Sequence, residues 1–456
     1  MKLRTIITII ICKTLRFILR FLGRGGTSLP GIIALKLHPK ILKDLAKNVD
    51  IVLITGTNGK TTIARMIEQC FIEAGLKYFT NKTGANMDTG IAAEFIMNSN
   101  IFGKCKYPFA IIECDELAFK KVSRYAPLKT IVVSNIFRDQ LDRFGEITHT
   151  LNAICEGIEN TPDATVCLNS DCSLSVSLKD RIKNNVIFYG LDCPIYKDTK
   201  KELSDAIYCI KCHHSYKYNY ITYGHLGDFY CEECGYSRPE PTIAVKEIIE
   251  TDVDSSTVSM KIGDEEYKTT INLPGGYNIY NAAATAAVAY SLGIKNEDTV
   301  SALGSFKCGF GRMEKFQLGN NATRMILVKN PAGVNQVLNF LSHVSSPSVF
   351  VVGINDKAGD GTDISWIWDA DFEKLLEMGD NLKEVIATGS RAAEMAIRFK
   401  YAGIDTDKIK VITDYGKLLG YIAKGDAPAF IMPNYTAMLE IRDKISRDFG
   451  YEQYWK

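Results

Sequence analysis

The sequence predicts an α/β protein in which a first parallel sheet is followed by a second, Rossmann-like α/β unit. Three observations lead to this prediction. Short apolar segments that suit buried strands alternate with helical stretches, a pattern typical of parallel sheets covered by helices. Residues 50–62 run from such a strand through a glycine-rich turn into a helix. The alternation starts again near residue 318, after an interruption rich in tyrosine and cysteine at 203–241.

Residues 50–62 have the composition of a phosphate-binding loop. Glycines allow backbone N–H groups to close around phosphate oxygens, and the N-terminus of the following helix favours negative charge. Lys60 can reach the β- and γ-phosphates, and the hydroxyl of Thr61 can ligate Mg²⁺. The general P-loop pattern has a glycine where this sequence has Ile54. We expect Lys60 to be a catalytic residue. The predicted contacts of the nucleotide are Gly56, Thr57, Asn58, Gly59, Lys60, Thr61 and Thr62.

Composition places the chain among globular proteins and argues against a nucleic-acid-binding protein and against a disulfide-bonded protein. At 456 residues it is long enough for two or three domains, and its 46% apolar and 23% charged residues are ordinary values. The net charge of +1 argues against a nucleic-acid-binding protein. The thirteen cysteines are odd in number and scattered in apolar surroundings, which favours free thiols over disulfides and therefore a cytoplasmic location.

Residues 1–44 form a separate segment that begins with a basic, amphipathic helix. Its apolar run from Ile6 to Cys12 is too short to span a bilayer, and no signal-peptide cleavage site follows it. The helix either docks on the next domain or also rests on an anionic membrane surface, which would place the protein at the inner face of the plasma membrane. We favour docking and keep membrane contact as the alternative.

The remaining chain divides into two predicted domains. We expect a central ATP-binding domain at 45–317, with the insertion at 203–241, and a C-terminal α/β domain at 318–456. Residues 315–321 are the predicted linker. Strands are predicted at 110–114, 130–134, 324–328, 348–353, 384–388, 410–413 and 429–432, and an alanine-rich helix at 281–292.

Two Cys-x-x-Cys pairs, separated by 18 residues, predict a four-cysteine metal site. Each pair can place two thiolates on one knuckle, and two knuckles complete a tetrahedral shell, as in a zinc ribbon. Iron in the same geometry is the alternative. Because four protein ligands leave no open position for water, we expect a structural Zn²⁺ and place His213, His214 and His225 at the surface. The predicted ligands are Cys209, Cys212, Cys231 and Cys234.

Acidic residues follow the strand predicted at 110–114. Glu113 ends this strand, where open α/β sheets bind their ligands, and it can hold Mg²⁺ together with Thr61. We therefore expect Glu113 to be catalytic. Asp115 and Glu116 come next, and for Glu116 we favour a helix-capping role.

Polar residues later in the chain complete the predicted ATP site. Asn278 and Asn281 are three residues apart at a helix start, so their amides can satisfy the donor and acceptor edge of adenine. Arg312 and Lys329 are candidate phosphate ligands.

In this order the motifs resemble the Mur ligase family of ATP-dependent carboxylate–amine ligases. The resemblance runs from about residue 45 to the end of the sequence. It implies a Mur ligase-type fold, phosphorylation of a carboxylate by ATP, and displacement of phosphate from the acyl phosphate by an amine. The matching features are the loop from Gly56 to Thr61, Glu113, Asn135 with Asp139 and Asp142, Asn278 with Asn281, Gly311-Arg312-Met313-Glu314, and Asn330-Pro331.

The sequence departs from the common Mur ligase pattern in two ways, and these indicate which members of the family it resembles. Family members with a nucleotide-sugar substrate carry a whole domain before the P-loop and have no four-cysteine insertion, whereas fewer than 50 residues precede the strand in this sequence. The chain is therefore similar to the synthetase subunits of lipid II isoglutaminyl synthases. That similarity implies amidation of the α-carboxyl group of D-glutamate in lipid II, with ammonia delivered by a GatD-like glutamine amidotransferase in a heterodimer.

The resemblance also implies a role for the acidic segment 360–373. Asp363 would complete the partner's Cys-His pair as the third member of a triad, with Trp366 and Trp368 at the interface. A rigid loop that packs on itself is the alternative. The sequence holds no Gly-x-Cys-x-Gly nucleophile motif of its own, which agrees with a separate glutaminase.

Two other functions remain open. A folylpolyglutamate-synthetase-like ligase shares the Gly-Thr-Asn-Gly-Lys loop and would use an amino acid, rather than ammonia, as the acceptor. A non-catalytic ATP-binding subunit would bind ATP without substrate-dependent release of phosphate.

Overall fold

A computed structural model describes residues 3–21, 28–81, 85–137, 147–195, 205–252, 254–307, 312–357 and 359–452, with only the backbone of Arg312. The strands are β1 (Asp50–Thr55), β2 (Tyr78–Thr80), β3 (Phe109–Glu113), β4 (Leu128–Val133), β5 (Thr165–Asn169), β6 (Val186–Leu191), β7 (Lys217–Tyr223), β8 (Leu226–Tyr230), β9 (Ile243–Thr251), β10 (Ser256–Ile262), β11 (Glu265–Ile271), β12 (Arg312–Leu318), β13 (Asn321–Ile326), β14 (Ser348–Gly353), β15 (Leu382–Thr388), β16 (Ile409–Val411) and β17 (Ala429–Pro433).

The helices are α1 (Leu3–Phe21), α2 (Leu29–Leu37), α3 (Ile41–Leu45), α4 (Lys60–Glu73), α5 (Asp88–Met97), α6 (Glu116–Ser123), α7 (Ile147–Glu159), α8 (Ser173–Ser177), α9 (Gly276–Ser291), α10 (Asn296–Ser305), α11 (Pro331–Leu341), α12 (Ala392–Tyr401), α13 (Tyr415–Lys424) and α14 (Tyr435–Phe449). Short 3-10 segments lie at Leu178–Asp180, Ser365–Trp368, Phe372–Asn381 and Thr406–Lys408.

The larger sheet has nine strands in the order β11-β10-β9-β6-β5-β4-β1-β3-β2. Its strands from β2 to β9 along this order pair in parallel, while β10 pairs antiparallel with both β9 and β11. Because β1 has β3 on one side and β4 on the other, the strand order reverses at β1. In open α/β sheets, ligands bind outside the carboxyl ends of the strands at such a reversal.

The central strand β1 places the glycine-rich loop at this reversal. Its apolar residues from Ile51 to Ile54 are all buried, as expected for a strand with both faces covered. In the register of the sheet, Ile54 pairs with Glu113 on β3, and Thr55 pairs with Val133 on β4. The residues that follow β1, β3 and β4 therefore meet at one edge of the sheet.

The second sheet has six strands in the order β12-β13-β17-β14-β15-β16, all parallel except for β12. Each strand predicted between residues 324 and 432 overlaps a strand of this sheet. The prediction of a linker at 315–321 is wrong, because β12 and β13 pair as an antiparallel hairpin there. The boundary predicted at residue 317 falls inside β12, and the division into domains stays a prediction.

Helices α1, α2 and α3 pack against α5 beside the larger sheet. Ile9 and Cys12 of α1 are fully buried in the main core, so the predicted docking of this basic helix is confirmed. None of the described helices combines the length and apolarity needed to cross a bilayer.

A buried ionic cluster joins the four-cysteine insertion to the larger sheet. Arg238 follows the insertion's hairpin of β7 and β8, and its Nε donates to Oδ1 of Asp171 at 2.6 Å. Tyr280 of α9 donates its hydroxyl to Oδ2 of Asp171 at 2.5 Å. Burial raises the pKa of Asp171, and the Arg238 guanidinium and the Tyr280 hydroxyl act in the opposite direction. The cluster thus ties the insertion to both the sheet and α9.

Candidate active site and metal centre

Lys60 is the first residue of α4, and its ammonium group lies among oxygen atoms. Nζ donates to the backbone carbonyl of Gly56 at 2.5 Å and to that of Thr57 at 3.3 Å. It also pairs with Oε1 of Glu116 at 2.8 Å, and both side chains are buried. The capping role favoured for Glu116 is wrong, because Asp115 is the residue that accepts hydrogen bonds from the first N–H groups of α6. Glu116 instead supplies a buried counter-ion for Lys60.

Thr61 and Glu113 come together at the carboxyl edge of the sheet. The Thr61 hydroxyl donates to Oε2 of Glu113 at 2.9 Å. A hydroxyl and a carboxylate oxygen are hard ligands of the kind that Mg²⁺ prefers, and Thr61 directly follows Lys60 in the chain. The donor set that the sequence predicted for Mg²⁺ is therefore assembled in the fold.

Asn81, which the sequence analysis missed, holds the backbone of Glu113. Its Nδ2 donates to the Glu113 carbonyl at 2.8 Å, and its Oδ1 accepts from the Glu113 N–H at 3.0 Å. The side chain is 3% exposed. Asn81 directly follows β2, the neighbour of β3, so its role becomes visible only once the strand order is known. These two hydrogen bonds hold the backbone from which the Glu113 side chain projects.

Two asparagines brace the glycine-rich loop from opposite sides. Asn135, which follows β4, accepts from the Asn58 N–H through Oδ1 at 2.9 Å and from the Thr57 N–H through its carbonyl at 2.9 Å. Asn330, beyond the second sheet's β13, donates Nδ2 to Oδ1 of Asn58 at 3.1 Å. Asn330 also caps α11. The loop is thus contacted by residues attached to both sheets.

Asn278 and Asn281 lie in the first turns of α9, close to the loop. Nδ2 of Asn281 donates to Oδ1 of Asn278 at 3.0 Å, and Nδ2 of Asn278 donates to the Pro274 carbonyl at 2.7 Å. At Gly59, which has a φ of +88°, an added Cβ would lie 2.2 Å from Oδ1 of Asn281. The left-handed φ and this close approach therefore favour glycine at position 59, and the asparagine pair lies beside the glycine-rich loop.

The other predicted ATP ligands are Thr62, Arg312 and Lys329. Lys329 is half-buried and precedes Asn330 in the segment that reaches the loop. Thr62 is buried on α4. The side chain of Arg312 and the segment 138–146, with Asp139 and Asp142, lie outside the described residues.

The four predicted cysteine ligands converge in the insertion. Their Sγ atoms all lie within 4.8 Å of one another, with 3.5 Å between Cys209 and Cys234 and 3.4 Å between Cys212 and Cys231. Zn–S bonds of about 2.3 Å imply S···S separations of roughly 3.8 Å in a tetrahedron, so the cluster fits one metal ion. Tyr216, Phe229 and Tyr236 form the small core beside it.

His225 is not at the surface, contrary to the sequence-based prediction. It lies at the turn between β7 and β8, is fully buried, and its Nε2 is 3.5 Å from Sγ of Cys172. Its ring packs on Phe137 at 4.5 Å, and the backbone of Phe137 exchanges hydrogen bonds with the Thr57 hydroxyl. The hairpin tip therefore contacts the residue that braces Thr57 of the glycine-rich loop. His213 and His214 are exposed, as predicted.

Asp363 and Trp368 are exposed at one end of the second sheet. The backbone N–H of Ser365 donates to Oδ1 of Asp363 at 2.8 Å and holds the pKa of that carboxyl below its usual range. Trp368 is half exposed and packs edge-on against the exposed ring of Tyr401. Trp366 instead packs partly against the core of the second sheet. An exposed, ionised carboxylate is available here to another chain.

Comparisons with known proteins agree with the fold. A family model described as the Mur ligase middle domain matches residues 54–229, and one described as the MurT ligase C-terminal matches residues 327–438. The chain is 36% identical to a lipid II isoglutaminyl synthase subunit MurT of Streptococcus pneumoniae, covering 98% of each chain. It is 34% identical to the MurT subunit of Staphylococcus aureus strain COL, covering 96% of this chain and 97% of that one.

Solved structures share the fold at lower identity. A pseudomurein peptide ligase type C from Methanothermus fervidus has a TM-score of 0.65 at 23% identity, covering 89% of this chain and 80% of its own. A MurF ligase from Thermotoga maritima in complex with ADP has a TM-score of 0.59 at 14% identity, covering 90% of this chain and 84% of its own. The full-length similarity at 34–36% identity, together with the two matching family models, shows that this chain belongs to the MurT family of Mur ligases.

Proposed function

We propose that this chain is the ATP-dependent ligase subunit that amidates the α-carboxyl group of D-glutamate in lipid II. The observation that carries the proposal is the convergence of Lys60, Thr61 and Glu113 at the strand reversal, with Asn330 reaching the same loop from the second sheet. This arrangement suits transfer of a phosphoryl group between two bound substrates. The curated relatives named as lipid II isoglutaminyl synthase subunits support the choice of substrate.

In the proposed reaction the carboxylate of the substrate attacks the γ-phosphate of ATP, and ADP leaves. Ammonia then attacks the acyl phosphate, so that a C–N bond forms and phosphate departs. Lys60 would meet the negative charge of the phosphoryl group, after exchanging Glu116 and loop carbonyls for phosphate oxygens. Because the N–H groups of Thr57 and Asn58 donate to Asn135, the backbone N–H groups from Gly59 to Thr62 at the start of α4 would hold the other phosphates. Asn278 and Asn281 would lie near the adenine.

Mg²⁺ and further phosphate ligands are part of this proposal. Thr61 and Glu113 would hold Mg²⁺, which neutralises phosphate charge when it is bound. Arg312 and Lys329 are the proposed additional phosphate ligands. Asn81 is a positioning residue, because it contacts the backbone of Glu113 rather than the reacting atoms.

The ammonia would come from a partner. The sequence has no Gly-x-Cys-x-Gly motif, and the MurT relatives are named as subunits. We propose a heterodimer with a GatD-like glutamine amidotransferase, in which the exposed Asp363 orients the partner's catalytic histidine. Trp368 and Tyr401 offer the exposed aromatic surface beside it.

We further propose that the predicted domains, 1–44, 45–317 and 318–456, act as units, with ATP between the second and the third. Because lipid II is a membrane lipid, the protein would work in the cytoplasm at the inner face of the plasma membrane. The ribbon would hold a structural Zn²⁺ between Cys209, Cys212, Cys231 and Cys234.

Replacing Lys60 with alanine tests the proposed phosphate site. We expect Lys60→Ala to lower the rate of lipid II amidation at least about 1,000-fold, because the transferred phosphoryl group loses its main protein cation. Lys77→Ala, at an exposed lysine beyond the end of α4, should retain full activity. Circular dichroism would verify that both variants fold, and mass spectrometry of the lipid product measures the rate.

Retained amidation by a folded Lys60→Ala variant would contradict the site. The same assay separates the other functions. Incorporation of an amino acid instead of ammonia would identify a folylpolyglutamate-synthetase-like ligase. Nucleotide binding by the wild-type chain without substrate-dependent release of phosphate would identify a non-catalytic subunit.

Asn81→Ala tests the positioning of Glu113. Removing two hydrogen bonds that orient the backbone of a metal ligand should raise the Mg²⁺ concentration needed for half-maximal activity by roughly 10-fold. Asn184→Ala is the matched control, since Asn184 is also 3% exposed and donates to two backbone carbonyls, at 2.8 and 2.9 Å. It should cost similar stability and leave the Mg²⁺ requirement unchanged. Equal Mg²⁺ curves for the two variants would refute the positioning role.

Elemental analysis tests the metal. Protein purified without chelators should contain about one zinc per chain, because four cysteines complete the shell of one ion. Cys231→Ser combined with Cys234→Ser should lose most of it, whereas Cys105→Ser with Cys193→Ser, at two half-buried thiols outside the cluster, should keep it. Iron in stoichiometric amount would instead support the alternative metal, and no bound metal at all would rule out the site.

A further inference from the structure

The outward face of α1 carries large apolar side chains towards both ends, with the exposed Thr14 between them. Leu3, Phe17 and Phe21 are 71%, 73% and 87% exposed. The exposed residues recur every three or four positions, so they form one continuous stripe roughly 27 Å long. Its large apolar members are Leu3, Ile7, Ile10, Ile11, Phe17, Ile18 and Phe21.

The inward face of α1 carries the polar contacts. Thr5 donates its hydroxyl to Asp44 at 2.7 Å, Arg16 pairs with Glu94 at 3.3 Å, and Lys13 donates to the Ser99 carbonyl. A helix at the surface of a protein in water normally keeps its large apolar side chains against the core. In α1 the buried apolar residues are Ile9 and Cys12, whereas seven large apolar side chains are exposed. Specific polar contacts therefore fix α1 in an orientation that directs its apolar stripe outward. Large exposed stripes of this kind mark surfaces that bind something.

Basic residues accompany the stripe. The first 49 residues contain ten lysines and arginines and one acidic residue, although the whole chain has a net charge of only +1. Arg4 and Arg20 of α1 are exposed, and α1 itself has no acidic residue. Helix α2 adds the exposed apolar side chains of Leu29, Ile32 and Leu37. The surface formed by α1 and α2 thus combines apolar area with positive charge.

We propose that this surface, the outward face of α1 with the adjoining side chains of α2, docks into the headgroup region of an anionic lipid bilayer. The apolar stripe would enter the boundary between headgroups and acyl chains, and the surrounding basic residues would meet anionic headgroups. With four basic residues in 19, α1 would lie in the membrane plane. The inference rests on the proposed function, because docking on the bilayer would bring the site to a lipid-linked substrate.

A second copy of this chain is the other occupant that an apolar surface could bind. Two identical copies would bring two clusters of like charge together, with one acidic residue in each first 49 to compensate. Anionic lipid supplies the opposite charge over an extended plane. The charge distribution therefore favours the bilayer.

Vesicle flotation with the full-length chain tests the docking. We expect it to bind vesicles that contain phosphatidylglycerol, to bind pure phosphatidylcholine vesicles at least tenfold more weakly, and to dissociate as salt is raised. Phe17→Gln with Ile18→Gln should reduce binding at least tenfold. Ile72→Gln with Ile249→Gln is the matched control, since Ile72 and Ile249 are 59% and 43% exposed on other elements, and it should bind like the wild type.

Activity assays separate this inference from the proposed function. The Phe17→Gln, Ile18→Gln variant should amidate a water-soluble lipid II analogue with a short prenyl chain at the wild-type rate, and amidate lipid II in anionic vesicles much more slowly. If the wild-type chain amidates neither the soluble analogue nor lipid II in vesicles, the proposed function is refuted. Flotation, in contrast, measures docking alone. Equal vesicle binding by the two double variants would overturn the docking surface. If the wild-type chain does not bind vesicles, and sedimentation shows that it is a dimer while the Phe17→Gln, Ile18→Gln variant is a monomer, the surface binds a second copy instead.

Discussion

The pairing of β1 between β3 and β4 is the constraint on which the candidate site depends. Ile54 lies opposite Glu113 and Thr55 opposite Val133, so the residues after three strands reach the same edge of the sheet. Only in that register can the Thr61 hydroxyl meet the Glu113 carboxylate at 2.9 Å. A shift by one residue would turn every side chain of the strand to the other face. The register of β1 against β3 and β4 therefore fixes the site.

Contacts from distant parts of the chain converge on the loop that β1 positions. Asn135 holds it from the neighbouring strand, Asn281 fills the space beside Gly59, and Asn330 reaches it from the second sheet. The four-cysteine insertion contributes through its hairpin tip, where His225 packs on Phe137 beside Thr57. A structural metal in the insertion would therefore help to keep the loop in shape, although it lies outside the proposed reaction.

Features encoded in contiguous residues could be predicted from the sequence. The glycine-rich loop and the two cysteine pairs carry their chemistry in fixed local spacing, and Glu113 was recognisable because it ends an apolar strand. Asn81 was missed because its role depends on β2 lying beside β3, which no local pattern reports. Glu116 and His225 were misplaced for a similar reason. An acidic residue at a helix start fits a cap as well as a buried ion pair, and spacing alone does not reveal that a hairpin tip turns into the core.

The most direct test of the account is mass spectrometry of lipid II incubated with this chain, Mg·ATP and a high concentration of ammonium, with no partner present. The account predicts conversion of the stem-peptide glutamate to its α-amide, because the groups proposed for ligation all lie in this chain. Absence of the amide under these conditions, and also after a glutaminase subunit and glutamine are added, would contradict it.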